Sequence, residues 1–132
     1  MYKFLLLFGM IFLHIVDDYY MQGILSQMKQ REWWVNNAPS RMYKRDYLMA
    51  MFMHGFSWSF MIMIVPTIYV LVAAYNVSAM IFAIILFFIA NLGIHMFVDD
   101  MKANKKKINL IQDQLTHLAQ ILITWIVLVV LV

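Results

Sequence analysis

The sequence predicts an all-α integral membrane protein in which four transmembrane helices form one bundle. Three observations lead to this fold class. Hydrophobic residues make up 64% of the 132 residues and charged residues only 13%, whereas soluble domains contain about 45–50% apolar and about 25% charged residues. Four apolar segments are each long enough, or nearly so, to cross a hydrocarbon core of roughly 30 Å. The basic residues are concentrated in two connections between these segments.

The apolar segments are predicted as helices that together form a single membrane domain over residues 1–132. They cover about residues 2–22, 47–74, 78–98 and 108–132. The first resembles a signal peptide, with Lys3 ahead of an apolar run. No small-residue cleavage site follows it, so we interpret it as a retained helix. Only a tight turn around Asn76 separates the second segment from the third.

The two polar connections predict how the helices are oriented. Residues 24–45 carry five basic side chains and are interpreted as a cytoplasmic interfacial segment. Within it, Trp33 and Trp34 are interpreted as membrane anchors. Four more lysines lie between the third and fourth segments. Because basic connections tend to face the cytoplasm, both termini are predicted to be non-cytoplasmic.

Ionisable residues recur at helical spacing inside these segments or at their ends. Three histidine–aspartate pairs are each separated by four residues, and one further histidine lies in the second segment. The residues are His14, Asp18, His54, His95, Asp99, Asp113 and His117. Four residues are about one helical turn, so each pair shares one helix face. Under the predicted topology all seven lie at similar depth, which predicts a polar pocket that is open to the cytoplasm. Ionisable groups inside a bilayer indicate a functional site.

These seven residues are candidate metal ligands. The chain has no cysteine, which excludes thiolate sites. Imidazole and carboxylate suit a divalent transition metal, with zinc as the leading candidate and manganese or iron as alternatives. A catalytic zinc site uses three protein ligands and water, so seven candidates could serve one ion with outer partners, or two ions about 3.5–4 Å apart. Metal sites of this kind favour hydrolysis of a phosphoester, an ester or an amide.

The predicted location of the site suggests its substrate and the roles of individual residues. A pocket at the cytoplasmic boundary is most accessible to lipid head groups, so membrane lipid is the predicted partner and a lipid phosphate the predicted substrate. An aspartate that does not coordinate, Asp18 or Asp99, would act as general base. Lys102 would bind an anionic group. Asp17 and Asp100 are expected to be solvated at the interface. The formal charge of only +3 argues against nucleic-acid binding.

Two kinds of non-enzymatic function remain open. The polar stripes could line a pore or ion path in a homo-oligomer, or belong to a phage protein that alters the host membrane. Alternatively, a metal could serve only to tie the four helices together. A conduit needs polar residues across the whole membrane, whereas the predicted outer halves of the helices are almost wholly apolar. These stretches are residues 4–9, 68–72, 80–86 and 125–132.

The same residues carry a resemblance to a family. The motifs are His-x3-Asp-x3-Gln at His14, Asp18 and Gln22, a histidine at His54, His-x3-Asp-x2-Lys at His95, Asp99 and Lys102, and Asp-Gln-x2-His at Asp113, Gln114 and His117. With these motifs nearly the whole chain resembles small bacterial and phage membrane proteins catalogued as a domain of unknown function. That group is similar to membrane-bound metal-dependent hydrolases. The resemblance implies metal-dependent hydrolysis in a bacterial inner membrane, and the composition fits a phage gene.

Overall fold

The computed structural model describes residues 2–132, which are largely helical and contain no β-strand. Four helical spans are long and apolar enough to cross a membrane. They are Tyr2–Met21, Arg41–Ala73, Val77–Ala103 and Leu110–Val130. The predicted fold class is therefore confirmed at the level of an all-helical protein with four helices that are able to span a membrane.

Six α-helices account for these spans and for the connection between the first two. They are α1 Tyr2–Ile15, α2 Leu25–Met28, α3 Arg31–Asn37, α4 Asp46–Ala73, α5 Val77–Ala103 and α6 Leu110–Trp125. Wider π-helical turns continue α1 over Val16–Met21 and α6 over Ile126–Val130, and a 3-10 turn at Arg41–Tyr43 precedes α4. The predicted interfacial segment thus contains two short helices, which are separated at Lys29 and Gln30.

Local sequence signals account for where the helices begin and end. Gly23 has a φ of +51°, the left-handed conformation that commonly follows a helix. The Asn76 side chain accepts a hydrogen bond from the Ala79 amide at 3.2 Å and caps the start of α5. Asn109 and Gln112 form a reciprocal capping box at the start of α6.

Helix α5 is longer than its hydropathy predicts. The apolar run ends near residue 98, but the helix continues to Ala103. The charged residues after Val98 remain helical because Asp99 and Lys102 find partners inside the bundle, Lys29 and Asp113 respectively. The additional turn carries the Asp99 side chain into the interior and lets the partly exposed Lys102 reach Asp113.

The four long helices pack around an interior with two different halves. Helix α4 packs against α5 and α1, and α6 packs against the same two helices. The half nearer the two termini, which we call the apolar half, is filled by a hydrophobic cluster. Its members are Met10, Trp58, Ile62, Met63, Val70, Ile121, Trp125, Leu128 and Val129. The other half contains the buried histidines and aspartates.

The distribution of polarity is reversed relative to a soluble protein. Leu5, Phe82 and Phe97 are 67%, 71% and 60% exposed. In contrast, His95 and Asp113 are fully buried. An extended apolar outer surface of this kind is typical of a protein that contacts lipid, and it leaves the interior as the place where polar side chains meet.

Candidate metal centre

Two overlapping groups of ligand-type side chains lie between the four long spans. One contains Asp18, His54 and His95, and the other contains His95, Asp99 and His117. In each group, ligand atoms from the three side chains lie within 4.8 Å of one another. Five of the seven predicted ligands are therefore brought together, and every span contributes at least one.

The distances between ligand atoms in the first group suit a shared metal ion. The Nε2 atoms of His54 and His95 lie 3.1 Å apart. His54 Nε2 is also 3.4 Å from Asp18 Oδ1 and 3.5 Å from Asp99 Oδ2. Two nitrogen ligands bound about 2.0–2.1 Å from one tetrahedral zinc ion lie roughly 3.3 Å apart. Small shifts of these side chains would therefore place them around one ion.

His117 brings the second group to the same carboxylate. Its Nε2 atom lies 3.8 Å from Asp99 Oδ1 and 3.5 Å from Asp113 Oδ1. The other oxygen of Asp99, Oδ2, faces His54 and His95. The Asp99 carboxylate therefore lies between these two imidazoles and His117. This position accommodates one ion or two ions bridged by a carboxylate, and the number of ions stays a prediction.

A chain of hydrogen bonds fixes the tautomer of His117. Thr124 Oγ1 donates to the Gln120 carbonyl at 2.8 Å and therefore accepts from Asn91 Nδ2 at 2.9 Å. The Asn91 side-chain oxygen accepts from Gln120 Nε2 at 3.2 Å, which leaves Gln120 Oε1 to accept from His117 Nδ1 at 3.2 Å. Neutral His117 thus carries its proton on Nδ1, and the Nε2 lone pair points into the centre. Partners on the other ring nitrogen orient metal-binding histidines in this way.

The centre has an excess of negative charge and several polar atoms without partners. Its charged groups are the carboxylates of Asp17, Asp18, Asp99 and Asp113 and the ammonium groups of Lys29 and Lys102. With the histidines neutral, as metal ligands must be, two negative charges are formally unbalanced, which is the charge of one divalent cation. Within residues 2–132, Asp18 Oδ1, Asp113 Oδ1 and His117 Nε2 are buried without a hydrogen-bond partner. Because unpaired buried charges are strongly unfavourable, a divalent ion would stabilise this arrangement.

No protein-family model, curated protein or solved structure matches this chain. The support for a metal centre therefore comes from its geometry and charge. Helix length and hydropathy establish a helical protein that is able to span a membrane. The positions of its buried histidine and aspartate side chains show that these groups could bind a metal ion. The family resemblance stays a prediction.

His14 and Asp113, the other two predicted ligands, lie at the edge of the centre. His14 Nδ1 accepts from Trp58 Nε1 at 2.7 Å, and its Nε2 lies 3.1 Å from Gln114 Oε1, to which it can only donate. Both ring nitrogens are thus engaged in this arrangement. Asp113 Oδ2 accepts from Lys102 and Gln114, whereas its Oδ1 remains available. The ligand roles of His14 and Asp113 stay predictions.

Asp17 is buried, so the expectation that it is solvated at the interface is wrong. It accepts from Ser57 Oγ at 2.5 Å, and its other oxygen lies 3.7 Å from His54 Nδ1. The wider turns over Val16–Met21 explain the difference. Consecutive residues of an α-helix diverge by about 100°, whereas a π-helical turn reduces this angle. Asp17 and Asp18 can therefore both point into the bundle.

Lys29 is a member of the centre that sequence reasoning did not find. It is only 5% exposed, and its Nζ donates to Asp99 Oδ2 at 2.7 Å. In the sequence it looks like any other basic residue of the interfacial segment. The break between α2 and α3 turns it inward. Asp100, in contrast, is only partly buried and forms an ion pair with Lys105 at 3.0 Å.

Trp58 closes the centre on the side of the apolar half. Its fully buried indole stacks on the His95 ring, with centroids 4.3 Å apart and planes inclined by 22°. Trp58 lies four residues after His54 on α4, so helical spacing alone could have placed it on the same face. Together with its bond to His14, this position makes the indole the floor of the polar centre.

Gly55 allows α4 and α5 to approach each other at the centre. A Cβ atom at this position would lie 3.0 Å from Met96 Cγ and 3.2 Å from Leu92 Cδ1. It would also lie 3.6 Å from His95 Cδ2. Since His54 precedes Gly55 directly, the missing side chain helps the two imidazoles to reach ligand distance.

A cavity of about 360 Å³ adjoins the centre at the end of the bundle opposite the apolar half. Its wall includes Asp18, Asp99 and Lys102, the three residues predicted to act in catalysis. Lys106 adds a positive charge, while Lys29 and Lys102 are paired with Asp99 and Asp113. The cavity therefore combines candidate ligands with groups that would attract an anion.

Proposed function

We propose that this protein is a membrane-embedded, metal-dependent hydrolase that cleaves a phosphoester or ester of a membrane-associated substrate. The observation that carries the proposal is the lysine-lined cavity that ends on Asp18 and Asp99. A metal ion that only holds the helices together needs no cavity that leads to its ligands. The cavity gives an anionic substrate a route to the candidate ligands.

The proposed ligands are the three converging imidazoles and the nearby carboxylates. Zinc fits this donor set best, and manganese or iron would also be compatible with it. A catalytic site holds its ion with three protein ligands, so this centre has donors to spare. The chemistry that a divalent ion supplies when bound is activation of water and polarisation of a phosphoryl or carbonyl oxygen.

Three groups of the chain would assist hydrolysis. Asp18 Oδ1 has no hydrogen-bond partner within the described residues, while Gln114 Nε2 holds the other oxygen at 3.3 Å. With the ion held by the three imidazoles and Asp99, Asp18 would not coordinate and would accept a proton from the attacking water. Lys102 would neutralise an anionic substrate group as charge develops. Trp58 would exclude water and lipid chains on the side of the apolar half. This exclusion strengthens electrostatic interactions in the site.

The position of the cavity opening supports a lipid as the substrate. In a membrane the charged end of α5 and the basic connection after it would lie at the level of lipid head groups. By the positive-inside rule, this end would face the cytoplasm and both termini the other side of the membrane. A bacterial inner membrane, as the family resemblance implies, is part of the same proposal.

The conduit alternative is less well supported. A water-filled path through one subunit would need polar residues in the apolar half. Instead, Met10, Ile62 and Ile121 fill that half and are completely buried. The polar residues thus form a pocket that is closed on the side of the apolar half, which suits binding and catalysis better than conduction.

Metal content measured by elemental mass spectrometry tests the first part of the proposal. Detergent-purified protein is expected to contain about one or two equivalents of a transition metal per subunit. His95→Ala and Asp99→Asn should lose it. Asp46→Asn is the matched control, because it removes a carboxylate outside the centre at the start of α4. Equal metal content in all four proteins would contradict the proposed centre.

A hydrolysis assay tests the second part. Release of phosphate or fatty acid would be measured from a panel of phospholipids and lipid-linked phosphates, with and without added metal. Lys102→Gln should keep the metal but reduce turnover by roughly 100-fold, since it removes transition-state stabilisation. Lys107→Gln should retain activity. Stable metal binding without turnover on any substrate would leave the ion with a structural role and contradict the hydrolase.

A further inference from the structure

A second cavity, of about 560 Å³, lies between α3 and the beginning of α4. It shares no lining residue with the cavity of the metal centre. We call it the interfacial cavity. Its lining consists of Arg31, Trp34, Val35, Ala38, Pro39, Ser40, Arg41, Lys44, Arg45 and Tyr47. The volume is within the range of about 300–1,000 Å³ that is usual for small-molecule sites.

The interfacial cavity concentrates positive charge that no ion pair neutralises among residues 2–132, and the Arg31 guanidinium lies over the Tyr47 ring, 4.6 Å from its centroid. Four of its lining residues are cationic: Arg31, Arg41, Lys44 and Arg45. Across residues 2–132, the lysines and arginines that form ion pairs are all elsewhere, at the metal centre or in the α5–α6 connection. No carboxylate lines the cavity. Arginine presents a fork of donors that matches the oxygens of a phosphate, so the cavity favours a phosphate-bearing anion.

The surroundings of the cavity indicate that the anion is part of an amphiphile. Val35, which lines the cavity, is 68% exposed, and Met42, which follows the lining residue Arg41, is 77% exposed. The Trp34 ring stacks with Tyr43, with centroids 6.3 Å apart, and aromatic side chains of this kind concentrate at the membrane interface. One of the four spans that are long and apolar enough to cross a membrane begins here, at Arg41. A charged head group could thus enter the cavity while its acyl chains lie along the apolar surface.

The walls of the interfacial cavity are held in place before any ligand arrives. The Arg31 amide donates to Asn104 Oδ1 at 2.8 Å, and Asn104 Nδ2 donates to the Lys29 carbonyl at 3.2 Å, so α3 is attached to the end of α5. Trp34 Nε1 donates to the Met28 carbonyl at 2.6 Å. A preformed site binds more tightly because less conformational freedom is lost.

We propose that the interfacial cavity binds the head group of an anionic phospholipid such as phosphatidylglycerol. The cationic side chains bind the phosphate, and the exposed side chains of Val35 and Met42 contact the acyl chains. This site does not depend on the metal centre, and it gives the basic connection a specific ligand as well as a role in topology.

Binding of short-chain phosphatidylglycerol to the purified full-length protein in detergent tests this proposal. Titrations with phosphatidylcholine of the same chain length and with inorganic phosphate are run in parallel. Phosphatidylglycerol is expected to bind at least about tenfold more tightly than either, because only it combines an anionic head group with apolar chains. Arg41→Gln combined with Lys44→Gln should weaken its binding by roughly 10- to 30-fold, from the loss of two cations.

The matched control is Lys105→Gln combined with Lys107→Gln, which removes two charges from the other basic connection and should leave binding unchanged. Circular dichroism and gel filtration of both double variants establish that they remain folded. Equal affinity for the two phospholipids would overturn the proposal, as would equal weakening in the control variant. Equally tight binding of inorganic phosphate would also overturn it and indicate a site for a soluble anion.

Discussion

At the scale of single residues, the readiness of a histidine to bind metal depends on the partners of both ring nitrogens. His14 and His117 have similar surroundings in the sequence, each with an aspartate one turn away. His14 is hydrogen-bonded through both nitrogens, whereas Gln120 engages only Nδ1 of His117. The difference arises from side chains on neighbouring helices, and it makes Gln120 a positioning residue.

Gln120→Leu should therefore weaken metal binding without removing a ligand. The substitution frees Nδ1 of His117, so the ring is no longer held with its Nε2 lone pair towards Asp99. A loss of roughly 10- to 100-fold in affinity is expected, as is usual for such outer partners. Competition with a chromophoric chelator measures it. Gln27→Leu, at an exposed position outside the centre, is the control. An unchanged affinity in Gln120→Leu would show that the hydrogen-bond chain does not orient His117.

At the scale of helices and turns, departures from regular α-helix bring side chains into the centre. The π-helical turns over Val16–Met21 direct two successive aspartates inward. The break between α2 and α3 turns Lys29 towards Asp99. Close packing at Gly55 brings α4 and α5 together. Each of these features is a small adjustment of one element that changes which residues meet.

Gly55→Val should separate α4 from α5 at the level of the two imidazoles. The new side chain would press on Met96 and Leu92, and overpacking of this kind costs about 1–3 kcal/mol of stability. Metal affinity should fall because His54 and His95 move apart. Gly93→Val is the control, since a Cβ there meets no atom within 4 Å. Thermal unfolding and metal titration of both variants test this; equal effects at both positions would argue against a special role for Gly55.

At the scale of the whole molecule, a metal ion would join spans that are far apart in the sequence. Asp18, His54, His95 and His117 belong to four different spans. The apolar outer surface is suited to contact with lipid and the apolar half packs as a hydrophobic core, whereas the polar half carries unbalanced charge. Binding of a cation should therefore contribute to the stability of the fold as well as to its chemistry.

Removal of metal should lower the thermal stability of the protein in detergent. A ligand that binds only the folded state stabilises it by about 2.7 kcal/mol when present at 100 times its dissociation constant. We expect a chelator to lower the unfolding temperature and added zinc to restore it. His95→Ala should not respond to either treatment. An identical response of the variant and the unmodified protein would place the metal effect outside this centre.

Much of the architecture follows from local properties of the sequence. Hydropathy summed over about 19 residues finds transmembrane segments, and it located four spans close to those observed. Spacing of four residues placed His95 with Asp99 and Asp113 with His117 on single helix faces. These faces are buried as predicted, because a polar stripe on a membrane helix avoids lipid by turning inward.

The sequence by itself therefore determined the number of spans, the polar stripes and the residue types of the centre. Only the tertiary structure decided which atoms meet. The pairing of Lys29 with Asp99 joins residues 70 positions apart, and the tautomer of His117 depends on Asn91, from another helix. Helical periodicity is a property of neighbouring residues, whereas a metal centre needs atoms from distant segments within a few ångströms of each other. That proximity arises only when the helices pack.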